Sequence, residues 1–181
     1  DNFEPNMSIK TITNTFDTLL GGLKSLIDKI EAYQPKQSTK IKLSASITDQ
    51  RKMSQLITHT LGYDTSSAIA GGRIDETEHP FTTGYYNDVR ITTHYYENDV
   101  VSSIFSVLHE TGHAIYEQNL NSEWQYQPVG STCSYGIHES QSRFYENIIG
   151  RSREFWITFL PKIQQITPTL GQIGLNQFLQ L

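Results

Sequence analysis

His109-Glu110-Thr111-Gly112-His113 is the stretch on which the reading of the whole chain turns. It lies in a run, Asp99 to about Gln118, whose apolar spacing predicts a helix. Histidines four residues apart on a helix share one side, with Cβ atoms about 5–6 Å apart. Both imidazoles can then reach one divalent ion at about 2.0–2.1 Å. A glutamate directly after the first histidine stands near such an ion without binding it, so it can take a proton from water. His109 and His113 are therefore candidate metal ligands and Glu110 a candidate general base, the pattern of a zinc-type peptidase.

The helix itself argues against two histidines placed on a surface by accident. With His109 at zero, Val101, Ile104, Leu108, Gly112 and Ile115 form an apolar stripe centred near about −100°. His113 falls at about +40° and Glu110 at about +100°, and Ser102 and Ser106, in earlier turns, project at about +20° and about +60°. The histidines border the core and have small neighbours on one side, which suits a cleft.

A catalytic zinc takes three protein ligands and keeps a fourth position open. The metzincin continuation, with Gly and then His after the second histidine, is excluded, because Tyr116 and Asn119 occupy those positions. Glu117, one turn beyond His113, faces near Glu110 and would crowd the base. Glu123 falls in a loop and stays a candidate. Glu139, in the first turn of the next predicted helix, suits better, since a carboxylate from an adjacent helix completes a His₂Glu set. Its competing reading is a surface residue paired with Arg143 one turn on.

The remainder is predominantly helical. Ile9, Ile12, Phe16, Leu19, Leu20, Leu23, Ile27 and Ile30 predict a helix from about Ser8 to Tyr33, with Gly21-Gly22 interrupting it. Gln34 to Ser46 reads as a linker. Thr48 or Asp49 caps a second helix, with Met53, Leu56, Ile57 and Leu61 on its buried side and Gly62 at its end. Arg73–His79 and Asn87–His94 have strand character and predict a small antiparallel hairpin joined by Pro80–Tyr86. Beyond the motif come a loop over Asn121–Gly130 and helices over Tyr135–Gly150 and Ser152–Gln165, then a restart at Thr167-Pro168.

Composition narrows the function. The chain has 181 residues, 36% of them hydrophobic, and lacks an apolar run long enough to span a membrane. A net charge of −5 with scattered basic residues speaks against nucleic acid as a partner. The one cysteine, Cys133, makes no internal disulfide, so nothing demands an oxidising compartment. The chain starts at Asp1 and stops at Leu181 inside a helix-like segment, so it is expected to be part of something longer.

His109-Glu110-Thr111-Gly112-His113 followed by His138-Glu139-Ser140-Gln141 resembles the thermostable carboxypeptidase Taq family of metallocarboxypeptidases. His79-Pro80-Phe81 and Asp88-Val89-Arg90-Ile91-Thr92 are similar to two further signatures of that family. The resemblance covers at least Gly71 to Arg143. It implies that His109, His113 and Glu139 bind one Zn²⁺ or Co²⁺ and that Glu110 is the base. Members of the family are longer, largely helical, cytosolic and often homodimeric, and remove C-terminal residues from peptides. Residues 1–181 would then be a single incomplete domain, the central catalytic part of a cytoplasmic, homodimeric enzyme. The expected fold class is mainly α, a helical zincin-like core with a small antiparallel hairpin. A further family signature, G-x-x-Q-D-x-H-W, is absent from this chain, which puts independent folding and activity in question.

A carboxypeptidase must bind a free carboxylate, for which arginine is the usual fork. Arg90 is the first candidate, against a structural pair with Asp88, and Arg73 is a weaker one. His79 is expected to line the cleft, as the resemblance suggests, and His138 either contacts substrate or caps a helix. Two other readings compete: an endopeptidase or aminopeptidase of the same His₂Glu type, and a metal-binding fragment without turnover.

Overall fold

A computed structural model describes residues 4–33 and 43–180. The chain divides into two compact units, residues 1–40 and residues 41–181. In the first, α1 (Ile9–Tyr33) runs unbroken through Gly21-Gly22, with none of its residues buried. Most of the linker expected over Gln34–Ser46 lies outside the described residues.

The second unit holds every candidate site residue. Its α2 (Ile47–Leu61) starts at Ser46 rather than at Thr48 or Asp49: the Ser46 hydroxyl accepts the Asp49 amide at 3.1 Å. Asp49 thus sits in the first turn, where a carboxylate favours the helix dipole. Gly62 closes α2 in the left-handed conformation, φ 91°.

A small sheet follows, β1 (Gly72–Glu76), β2 (Thr82–Tyr85) and β3 (Asp88–Thr93), in the order β1-β3-β2. The expected pairing needs correction. The segment around Arg73 pairs with β3 in parallel, Ile74 opposite Ile91, and β3's antiparallel partner is β2, within the stretch read as a connection. β2 escaped the sequence reading because Thr-Thr-Gly-Tyr has no apolar alternation. Gly84 is required there: at φ 129°, a Cβ would stand 2.1 Å from the Asp88 carbonyl oxygen.

Next comes α3 (Val100–Gln118), capped by Asp99, whose carboxylate accepts the Ser102 amide at 3.2 Å. Its buried face is wider than the predicted stripe. Ile104, Leu108 and Gly112 are joined by Val100, Ser103, Val107, Thr111 and Ala114. Small and β-branched residues let neighbours approach from two sides, the sheet and α2 on one, α4 (Tyr135–Arg143) on the other. The helix read over Tyr135–Gly150 is α4 continued by a π-helical segment, Phe144–Ile149. Then α5 (Arg153–Ile166), capped by Ser152, and the short α6 (Leu175–Phe178) complete the core with Trp156, Phe159, Leu160, Ile163 and Phe178.

Two buried polar groups set how these pieces sit. Gln50 of α2 donates to the carbonyls of Ala45 (3.0 Å) and Tyr96 (2.9 Å) and accepts the Ser103 hydroxyl (2.7 Å). Tyr63 donates to the Val89 carbonyl at 2.5 Å and accepts the Arg73 amide at 3.0 Å. The end of α2 is thereby fixed to β1 and β3.

Candidate metal centre

The site is built where α3 meets α4, and a glycine sets their separation. A Cβ on Gly112 would lie 2.7 Å from the Gln141 carbonyl oxygen and 2.7 Å from the Ser142 Cα. Only the missing side chain lets α4 lie this close, and Glu139 is carried on it. His109, His113 and Glu139 each offer a donor atom, all within 4.8 Å of one another. Glu139 Oε2 is 3.6 Å from His109 Nε2 and 3.3 Å from His113 Nε2. Tetrahedral bonds of about 2.0–2.1 Å hold ligand atoms about 3.3–3.4 Å apart, close to the two separations that Glu139 makes with the histidines.

The histidines are oriented for that role. Both turn Nε2 towards Glu139 and engage Nδ1 elsewhere. His109 Nδ1 meets Glu146 Oε2 at 2.9 Å. His113 Nδ1 meets His138 Nδ1 at 2.5 Å, and His138 Nε2 meets Glu117 Oε1 at 2.8 Å. A ligating imidazole whose other nitrogen is hydrogen-bonded has its tautomer and ring plane fixed. Glu146 is held in turn by Arg143 Nη1 at 2.8 Å, with Arg151 at 3.7 Å.

Glu139 resolves the competition seen in its sequence context. Its Oε1 accepts from Arg143 Nε at 2.8 Å while Oε2 faces the histidines, so both readings of this residue hold at once. Burial raises the Glu139 carboxyl, but the Ser142 hydroxyl, His109 and Arg143 outweigh it and hold the group below its ordinary range. A carboxylate that stays ionised is a competent ligand. Burial, with His138 and His109 nearby, pushes His113 down to about 4, which keeps its ring neutral and a lone pair free.

Glu110 lies beside this set and is 6% exposed. Thr82 of β2 donates its hydroxyl to Glu110 Oε2 at 2.6 Å. Burial raises the Glu110 carboxyl above its ordinary value, against the lowering effects of Thr82 and His109. A carboxyl shifted in that direction is better suited to accept and return a proton.

The structure does not bring every candidate here. Arg90 makes a two-pronged contact with Asp88, both bonds 2.8 Å, on an exposed part of β3. Its register neighbours are Arg73 and Thr83, whereas Thr82 and Ile91, which alternate with them, face α3. His79 is exposed, and its carbonyl accepts the Thr77 hydroxyl at 2.7 Å. His138 has both ring nitrogens engaged. Sequence reasoning passed over Thr82 and Glu146, and weighed Glu117 only as a third ligand, not as the partner of His138. Glu146 could have been found by helical spacing, since it lies two turns past Glu139 on the same side. Nothing local marks Thr82.

A family model described as carboxypeptidase Taq (M32) metallopeptidase matches residues 1–181. The chain is 39% identical over 180 residues to thermostable carboxypeptidase 1 of Thermus thermophilus, covering 98% of this chain and 34% of that protein. It is 40% identical over 183 residues to carboxypeptidase 1 of Bacillus subtilis, covering 99% of this chain and 36% of that one. The crystal structure of BsuCP superposes with a TM-score of 0.90 at 39% identity, over 99% of this chain and 36% of that one. The chain therefore spans about a third of the length of the curated relatives it matches.

Proposed function

The chain belongs to the carboxypeptidase Taq (M32) metallopeptidase family, and from that premise we propose that it supplies the metal-dependent centre of an enzyme that hydrolyses C-terminal residues from peptides. The observation that carries this reading is the convergence of His109, His113 and Glu139 with the buried carboxyl of Glu110 alongside. His109, His113 and Glu139 would hold a divalent ion, Zn²⁺ or Co²⁺, which when bound would polarise the scissile carbonyl and acidify water. Glu110 would take a proton from the attacking water and return it to the leaving amine. Thr82 holds the Glu110 carboxyl on the side of the site formed by β2. Substrate contact falls to His79, which is exposed and precedes β2; Arg90 would have to exchange Asp88 for a substrate carboxylate. The longer protein is a cytoplasmic homodimer in this proposal, and residues 1–181 are a central catalytic part of it.

The reading is tested with peptides that differ only at the C-terminus. The protein loaded with Zn²⁺ or Co²⁺ is expected to cleave a free-carboxylate peptide and to fail on its C-amidated counterpart. Equal cleavage of both would point to an endopeptidase or an aminopeptidase. Glu110→Gln is expected to retain the metal and lower kcat by at least about 10²-fold. Undiminished turnover in that variant would remove Glu110 from the role.

A further inference from the structure

The chain from His113 through His138 to Glu117 has a direction that the ligand set alone does not explain. His138 lies between a candidate ligand and a carboxylate, with its two nitrogens 2.5 Å and 2.8 Å from their partners. A carboxylate can only accept, so the proton on His138 belongs on Nε2, pointing at Glu117. Neutral His138 then presents a bare Nδ1. The hydrogen between the two rings must come from His113 Nδ1, which leaves His113 Nε2 bare and directed towards Glu139. With the proton on His138 Nδ1 instead, His113 would be driven to its other tautomer, whose N–H occupies the position an ion needs.

We propose that Glu117 and His138 are positioning residues that fix the tautomer of His113, so that its Nε2 lone pair is ready for the metal. The geometry around the two ligands supports this. His109 reaches a carboxylate directly, because Glu146 on the π-helical segment is close enough to touch its Nδ1. His113 is served at one remove: Glu117 is on its own helix, and His138 spans the gap from α4. The ring of Tyr116 lies edge-on to His138, with centroids 5.3 Å apart, and limits rotation of the intermediate imidazole. His138 is thereby assigned to holding the ligand rather than to meeting substrate. Both of its nitrogens are already committed.

The proposal rests on His109, His113 and Glu139 binding a metal, and the test separates the two claims. The full chain is stripped of metal and titrated with Co²⁺, followed by visible absorbance, and the imidazole nitrogens are read by ¹⁵N NMR. Wild type is expected to bind one Co²⁺ and to show His113 protonated at Nδ1 before metal is added. Glu117→Leu is expected to weaken Co²⁺ binding by about 10–100-fold and to populate the Nε2–H form of His113. Glu117→Gln keeps an oxygen that can accept from His138, and is expected to bind within about threefold of wild type. Wild-type affinity in Glu117→Leu would overturn the relay while leaving the metal site standing. So would weakened binding with His113 still protonated at Nδ1, since that would be a structural effect only. If Glu117→Leu does not fold, the glutamine variant decides: a tenfold or greater loss there overturns the proposal. A wild-type chain that binds no Co²⁺ ends both claims.

Discussion

A carboxylate has two oxygens, and this protein uses that fact repeatedly. Glu139 gives one oxygen to Arg143 and aims the other at the histidines. Arg143 meanwhile spans two acids, Glu139 through Nε and Glu146 through Nη1. Local spacing was enough to single out His109, Glu110 and His113, whereas Glu139 was preferred over Glu123 on spacing and placed in the ligand set by the family resemblance. Thr82 was not legible: its contact with Glu110 joins residues brought together only by the sheet. Thr82→Val keeps the shape and deletes that bond. It is expected to lower kcat by roughly tenfold, the scale of one hydrogen bond to a charged group, with metal content unchanged. Unaltered kcat would show that Glu110 is held by burial alone.

For the elements, helices were readable and strand pairing was not. Apolar spacing and Gly62 marked where the helices run, whereas the cap of α2 fell on Ser46 and not on Thr48 or Asp49. The sheet depended on which segments meet, and the parallel pairing of β1 with β3 has no local signature. Two interfaces carry predictions. Gly112→Ala places a methyl 2.7 Å from α4 backbone, so the helices must part. The expected cost is about 1–3 kcal/mol in stability, with Co²⁺ affinity falling because Glu139 moves with α4; denaturant melts and metal titration would measure both. Tyr63 ties α2 to the sheet, and burial pushes its hydroxyl up to about 12 from an ordinary 10.0. Its neutral form is favoured by folding, so that contribution is complete below pH 10 and is lost as pH rises through about 12. Tyr63→Phe is expected to cost about 1–2 kcal/mol at neutral pH, from the lost hydrogen bonds, and to flatten this alkaline decline in melts from pH 9 to 12.

Across the molecule, the metal site couples α3 to α4 and so reports on the second unit as a whole. An ion that binds the folded chain and not the unfolded one adds stability by mass action. At about 1,000 times its Kd the gain is about 4 kcal/mol. Addition of Zn²⁺ to metal-free protein should therefore raise Tm in calorimetry, and a chelator should reverse it. A Tm indifferent to both would mean that no ion links the two helices.

The donors are unequally anchored. His109 and His113 ride on a helix enclosed on two sides, whereas Glu139 comes from a nine-residue helix in which only Ser142 is buried. Glu139 is thus the donor whose hold on an ion depends most on its own tethers, the Arg143 guanidinium and the Ser142 hydroxyl. Loosening its tether with Arg143→Ala should shorten residence time more than it slows capture, which stopped-flow exchange against a chromophoric chelator would resolve.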